Sequence, residues 1–75
     1  MDANVYAVTE IVGSSDQGIE HAVKTAVERA GKTLRHLDWF EVTSIRGSLD
    51  ANSNPTLQVT LKVGFRLEDP DAAGD

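Results

Sequence analysis

From Thr56 to Leu67 the chain alternates without a fault. Leu57, Val59, Leu61, Val63, Phe65 and Leu67 point one way, and Thr56, Gln58, Thr60, Lys62, Gly64 and Arg66 point the other. A sustained period of two is a strand with one apolar and one polar face, since a helix would scatter the same residues around its whole circumference. The remainder of a 75-residue chain must therefore supply strand partners and a cover for the apolar face.

The cover is legible upstream. Ile19, Ala22, Val23, Ala26, Val27, Ala30, Leu34 and Leu37 recur at three- and four-residue steps, which predicts an amphipathic helix. Glu20, Lys24, Glu28 and Lys32 lie on its opposite side, and Lys32 and Arg35 suit its C-terminal end. The alanines in the stripe would let a sheet approach closely. Ser14 and Ser15 are the candidate N-caps, with Asp16 and Glu20 near the positive end of the helix dipole. His21 and His36, read as two residues of this one helix, would stand about 22 Å apart on solvated surface, too far to share a metal or a proton relay.

Val5 to Gly13 is rich in β-branched residues and reads as a first strand; Asp38 to Leu49 reads as a second. The turn formers Asp50-Ala51-Asn52-Ser53-Asn54-Pro55 join that strand to the alternating one as a hairpin. In the second strand Phe40 and Val42 share one parity and Ile45 and Leu49 the other. A single bulge between Val42 and Ile45 would put all four on one face. The fold expected is α+β: a single β-α-β-β domain over residues 1–75, with a three-stranded antiparallel sheet packed on one helix. The ordered core should cover about 4–69, with 70–75 a disordered acidic tail.

A domain this short buries a limited share of its surface, and with no cysteine it has neither disulfides nor thiolate metal sites. Oligomerisation is the remaining reinforcement. Twelve acidic against seven basic residues give a net charge of −5, which disfavours nucleic acid and anionic membranes as partners. No signal peptide and no membrane-length apolar run is visible, so the expected location is the cytoplasm.

The same bulge leaves Trp39, Glu41, Ser44, Arg46 and Ser48 on the outer face, beside Gln58, Thr60, Lys62 and Arg66 of the alternating strand. Trp39 could cap the helix–sheet core from its edge. With Phe40, Phe65 and the aliphatic residues already filling that core, an outward Trp39 suggests stacking against a planar ligand or another chain. Arg46, Arg66 and Gln58 would each be ordinary exposed residues alone; their shared face with Trp39 is what marks them. Gln58 should lie roughly 20 Å along the sheet from Trp39, so a ligand touching both would bind between subunits.

Val12-Gly13-Ser14-Ser15 before a helix, Leu37-Asp38-Trp39-Phe40-Glu41-Val42, Ser44-Ile45-Arg46-Gly47, and the run from Gln58 to Leu67 closely resemble bacterial dodecins. The likeness extends from about Val5 to Asp69. It implies a hollow homododecamer with sheets inside and helices outside, binding flavins in pairs between symmetry-related tryptophans. Trp39 would then stack on the isoalloxazine ring and Gln58 would hydrogen-bond its polar edge. Arg46 and Arg66 would meet the ribityl phosphate, favouring FMN over riboflavin, with riboflavin and FAD as the alternative flavins. Some members also bind coenzyme A, for which Arg29 and Lys32 are candidate contacts. An indole against an oxidised flavin is a good electron donor to the photoexcited ring, so quenching, storage and photoprotection form the expected role.

Two rivals stand beside it. A flavoenzyme would need an acid–base or nucleophilic constellation, and Glu10, Asp38 and Glu41 read most simply as a solvated or interface charge set; no catalytic residue is assigned. A structural or regulatory oligomer without flavin would pack Trp39 against protein.

Overall fold

The computed structural model describes residues 3–68, so the tail expected to be disordered lies outside the described residues. The elements run β1 (Tyr6–Ser15), α1 (Ile19–Ala30), β2 (Leu37–Leu49) and β3 (Pro55–Arg66). The sheet order is β1-β3-β2 with both pairings antiparallel. The alternating strand is therefore the central one. Its inward residues Val59, Leu61 and Val63 are 0, 0 and 1% exposed and form the core with Ala22 and Ala26. Burying each aliphatic side chain there contributes about 1.5–3 kcal/mol.

Small residues set how closely α1 seats. Ala22, Ala26 and Ala30 face the sheet and are buried. A Cβ at Gly13 on β1 would strike the carbonyl oxygen of Ala22 and lie 2.9 Å from Cβ of Ala26. Neither serine caps the helix, because Ser14 and Ser15 both belong to β1 and the N-cap is Gly18, without a side-chain bond. Ser15 acts one step earlier. Its buried Oγ accepts the Gln17 N–H at 2.9 Å and lies 2.6 Å from Nδ1 of His21, so His21 is not simply a solvated residue.

The helix is also shorter than its periodicity predicts. It stops at Ala30; the amides of Gly31 to Leu34 close tight turns back onto Val27, Arg29 and Ala30. His36 then takes a positive φ of 62° as the chain re-enters the sheet. Lys32, Leu34, Arg35, His36 and Leu37 thus lie off the helix, and the two histidines do not share one. The apolar period outlasts the helix because Leu37 still packs against the core, from the first position of β2.

The β2–β3 hairpin closes through Asp50, whose carboxylate accepts the backbone N–H groups of Asn54 and Asn52 at 2.9 and 2.8 Å. Those bonds, Asn54 first, hold Asp50 below the usual carboxylate range. The expected bulge is present between Val42 and Ser44, where the Thr43 hydroxyl donates to the Thr60 carbonyl at 3.3 Å. A second irregularity, not foreseen, falls between Leu37 and Trp39.

One expectation of the packing fails. Phe40 does not fill the core, because α1 packs on β1 and β3 while most of β2 runs beyond it. Phe40, Val42, Ile45 and Leu49 share the helix-side face and remain 51, 38, 49 and 68% exposed. The radius of gyration, 15.8 Å, exceeds the value of about 11 Å for a closed domain of this length. A single chain leaves much of its own apolar surface uncovered.

Candidate functional site

The outer face is built row by row from the strand register. One row joins Val8, Gly64 and Trp39; another joins Glu10, Lys62 and Glu41; a third joins Ser14, Gln58 and Arg46. Trp39 is on this face, as the bulge at Thr43 requires, and is 41% exposed. Its indole does not stand free. A Cβ at Gly64 would overlap Trp39 at Cε2 and Cζ2, so the ring occupies space that any other residue at 64 would fill. Gly64 is buried although no helix covers this side.

The four candidate ligand residues form two groups. Arg46 donates Nε–H to Oε1 of Gln58 at 2.9 Å, which engages one lone pair of the amide oxygen and turns the amide nitrogen to where it can donate. Arg66 lies two positions beyond Gly64, near Trp39. From Gln58 to Gly64 along β3 is about 20 Å, so no small ligand of one chain spans both groups.

Around Arg66 the charges are organised. Tyr6, opposite Arg66 in the ladder, donates its hydroxyl to Oδ2 of Asp38 at 2.8 Å. That bond, then burial and the Asp38 charge, raise the phenol above its ordinary 10.0, with Arg66 opposing. Glu68 accepts from Nε2 of His36 at 2.8 Å and pairs with Arg35 at 3.1 Å. His36 and then Arg35 hold Glu68 below the ordinary glutamate value of 4.5. The backbone is tied at the same place, Arg66 N–H to the His36 carbonyl at 3.0 Å and Leu67 N–H to the Val5 carbonyl at 2.8 Å. Glu10 and Glu41 flank Lys62 by register, and Asp38 is occupied by Tyr6, so the three carboxylates do not converge.

The two basic residues considered for coenzyme A part company. Arg29, in the last turn of α1, lines an open groove of about 620 Å³ between α1 and β1, together with Thr25 and Thr33. Lys32 sits in the turn beyond the helix and is not among the residues lining that groove. Among the described residues no group of three His, Cys, Asp or Glu is placed to hold a metal ion, and no helix is long and apolar enough to cross a membrane.

The dodecin family model matches residues 5–68. The chain belongs to the dodecin family. A dodecin of Thermus thermophilus is 54% identical over 65 residues, 87% of this chain and 94% of the relative. The dodecin of Streptomyces davaonensis superposes with a TM-score of 0.85 at 46% identity, covering 91% of this chain and all of that one. A calcium dodecin of Mycobacterium tuberculosis, a calcium-chelating antigen with its own calcium-binding site, is more distant: 27% identity and a TM-score of 0.79 over 88% of this chain. Dodecins are small binding proteins, and this chain shares their β-α-β-β fold.

Sequence reasoning missed Gly64 as part of the site, along with Tyr6 and Asp38. A lone glycine inside an otherwise unbroken strand was the available signal, since such a residue marks a close approach of something else to the backbone.

Proposed function

We propose that this dodecin is a flavin storage and buffering protein that sequesters FMN at subunit interfaces of a homododecamer and quenches its photochemistry. The observation that carries the reading is the half-exposed Trp39 indole on the outer sheet face, with Arg66 close by and the Arg46–Gln58 pair about 20 Å along the same sheet. An aromatic ring, an amide with free donors and two guanidinium groups are what a planar heterocycle bearing a phosphate requires. Their separation on one chain makes each site the work of several, with Trp39 of one subunit and Gln58 of another on the same ligand. The uncovered face of β2 supports assembly independently. FMN is favoured over riboflavin and FAD because riboflavin offers the arginines no phosphate and FAD must house an adenine as well.

The reading is of a binding protein, not an enzyme. It assigns no acid, base or nucleophile, and a ring enclosed between indoles leaves little room for substrate. Nucleic acid and membranes are not partners in it, and its setting is the cytoplasm, where FMN is made and used. Coenzyme A forms no part of it: of its two candidate contacts, Arg29 lines the groove between α1 and β1 and Lys32 does not.

The test is titration of flavin-free protein with FMN and riboflavin while following flavin emission, with native mass spectrometry for assembly. Saturable quenching, tighter for FMN, on a particle of twelve subunits is the expected result. Colourless protein that leaves FMN emission unchanged would favour an oligomer with a purely structural role.

A further inference from the structure

We infer that Gly64 is the seat of Trp39 and is therefore a positioning residue for the ring that Trp39 binds. The seat itself rests on geometry; its consequence for ligand rests on the flavin reading above.

Gly64 lies in the middle of an element that otherwise carries a side chain at every outward position: Thr60 and Lys62 before it, Arg66 after it. Glycine weakens a strand interior by leaving nothing to pack and by its backbone entropy, so its presence there calls for a reason. Conformation is not the reason. Among the described residues the positive-φ glycine is Gly18, and Gly64 adopts backbone angles open to any residue. Space is the reason. An added Cβ would fall against Cε2 and Cζ2 of Trp39 and only 2.6 Å from Nε1. Those atoms belong to the rigid fused ring, not to the far end of a flexible chain, so the indole as a whole would have to move.

The ladder explains why the clash cannot be absorbed nearby. Trp39 is the direct register partner of Gly64, and the irregularity between Leu37 and Trp39 delivers it there. Val8 stands on the same face at the other side of Gly64. The indole is thus laid across the central strand between two edge strands. Its height above the sheet, and so the depth left for a planar ligand, is set by what residue 64 carries. Gly13 plays the equivalent part on the opposite face, where its missing side chain admits α1. Two glycines on two strands let a helix and an aromatic ring press onto opposite sides of one thin sheet.

The experiment is a double-mutant cycle on the full chain: Gly64→Ala, Trp39→Ala and the combination, each studied first without flavin. Near-UV circular dichroism and tryptophan emission report the indole, and a denaturant midpoint reports stability. Gly64→Ala should lower the midpoint, weaken the near-UV signal and shift emission to the red as the ring leaves the strand. In the Trp39→Ala background the same change should leave the midpoint unchanged or raised, since alanine suits a strand better than glycine. Gly64→Ala should also weaken FMN by roughly tenfold to hundredfold, the range of losing a stacked ring. Should Gly64→Ala fail to fold, restored folding on adding Trp39→Ala supports the seat, and an unfolded double variant overturns it. An equal loss of midpoint in both backgrounds overturns it too. A displaced indole with FMN affinity intact overturns the positioning role. Unmodified protein that ignores FMN sinks the flavin reading alone, and the cycle still decides the seat.

Discussion

Arg46 and Gln58 are joined across the β2–β3 ladder, guanidinium Nε–H to amide oxygen at 2.9 Å. The bond settles which way the amide faces. With Oε1 accepting from Arg46, the Gln58 amide nitrogen is left with both N–H donors for an acceptor edge of a ligand. Arg46 keeps its two terminal nitrogens outside this bond, in the fork geometry that suits a phosphate.

That arrangement gives the first prediction. Gln58→Glu keeps a partner for Arg46 but removes the donor amide and sets a carboxylate beside the guanidinium. Both flavins should bind at least about tenfold more weakly, the scale of one lost hydrogen bond to a buried ligand edge. The preference for FMN over riboflavin should narrow as well, because Arg46 is neutralised. Arg46→Ala and Arg66→Ala should narrow that preference while costing riboflavin little. Titrations with both flavins, repeated at raised salt, check the set; equal losses for both ligands would remove the arginines from the phosphate.

The exposed apolar face of β2 gives the second. Phe40, Val42, Ile45 and Leu49 form a row on the helix side of the sheet that α1 does not reach. A row this size on so small a domain is the mark of an interface. Ile45→Lys places an unpaired charge in that row and should shift the protein from a large particle to small, poorly folded species in native mass spectrometry. An unchanged particle size would mean that the face is not buried by assembly.

The third concerns pH, through the ties around Arg66. Glu68 is held below 4.5 by His36 and Arg35. A lowered carboxyl contributes stability that is complete above its unfolded value and lost as pH falls through the folded one. Tyr6 is raised above 10.0 by its bond to Asp38, so its contribution is complete below that value and lost as pH climbs through the folded one. Hydrogen exchange of the Arg66 and Leu67 amides, corrected for intrinsic rate, should lose protection below pH 4.5. Glu68→Gln should flatten the acid side alone, and Tyr6→Phe the alkaline side alone. Protection unchanged across the acid range would leave Glu68 without a role at this end of the sheet.

How much of this was legible beforehand follows from which residues report their own surroundings. The faultless alternation from Thr56 to Leu67 marks a strand with one buried face because no helix fits a period of two. Its place at the centre of the sheet is seen only in the ladder that pairs it on both edges. The parity break between Val42 and Ile45 marks a bulge because only an inserted residue reconciles the two halves. The end of α1 was not legible, since Leu37 still packs against the core after the chain stops being helical. Neither was the start, where Ser15 bonds Gln17 and His21 from within a strand instead of capping. Trp39, Arg46, Gln58 and Arg66 could be placed on one face by parity once the bulge was allowed for. That α1 leaves Phe40 uncovered could not, because the lateral offset of a helix over a sheet depends on Gly13 and three alanines acting together. The Trp39–Gly64 contact lay in plain view as a lone strand glycine, but only the register shift at Leu37 brings the two side by side.

The last prediction concerns Trp39 directly. If its indole stacks on an isoalloxazine ring, Trp39→Ala removes roughly 1–3 kcal/mol, by analogy with aromatic stacking on nucleobases. Affinity for FMN should then fall about tenfold to hundredfold, and further if two symmetry-related chains bracket the ligand. Flavin that still binds should regain its emission, because the electron donor has gone. Trp39→Phe should fall between the two, keeping a ring of smaller area and weaker donor strength. Assembly should persist in both variants. Trp39 points away from the helix-side face that carries Phe40 and Ile45, and its own strand pairing is made by backbone groups that the substitution leaves in place. The outcome to watch for is the reverse pattern, a particle that falls apart while any flavin still bound stays dark. In that case Trp39 belongs to the packing between subunits, and the donor responsible for quenching lies elsewhere.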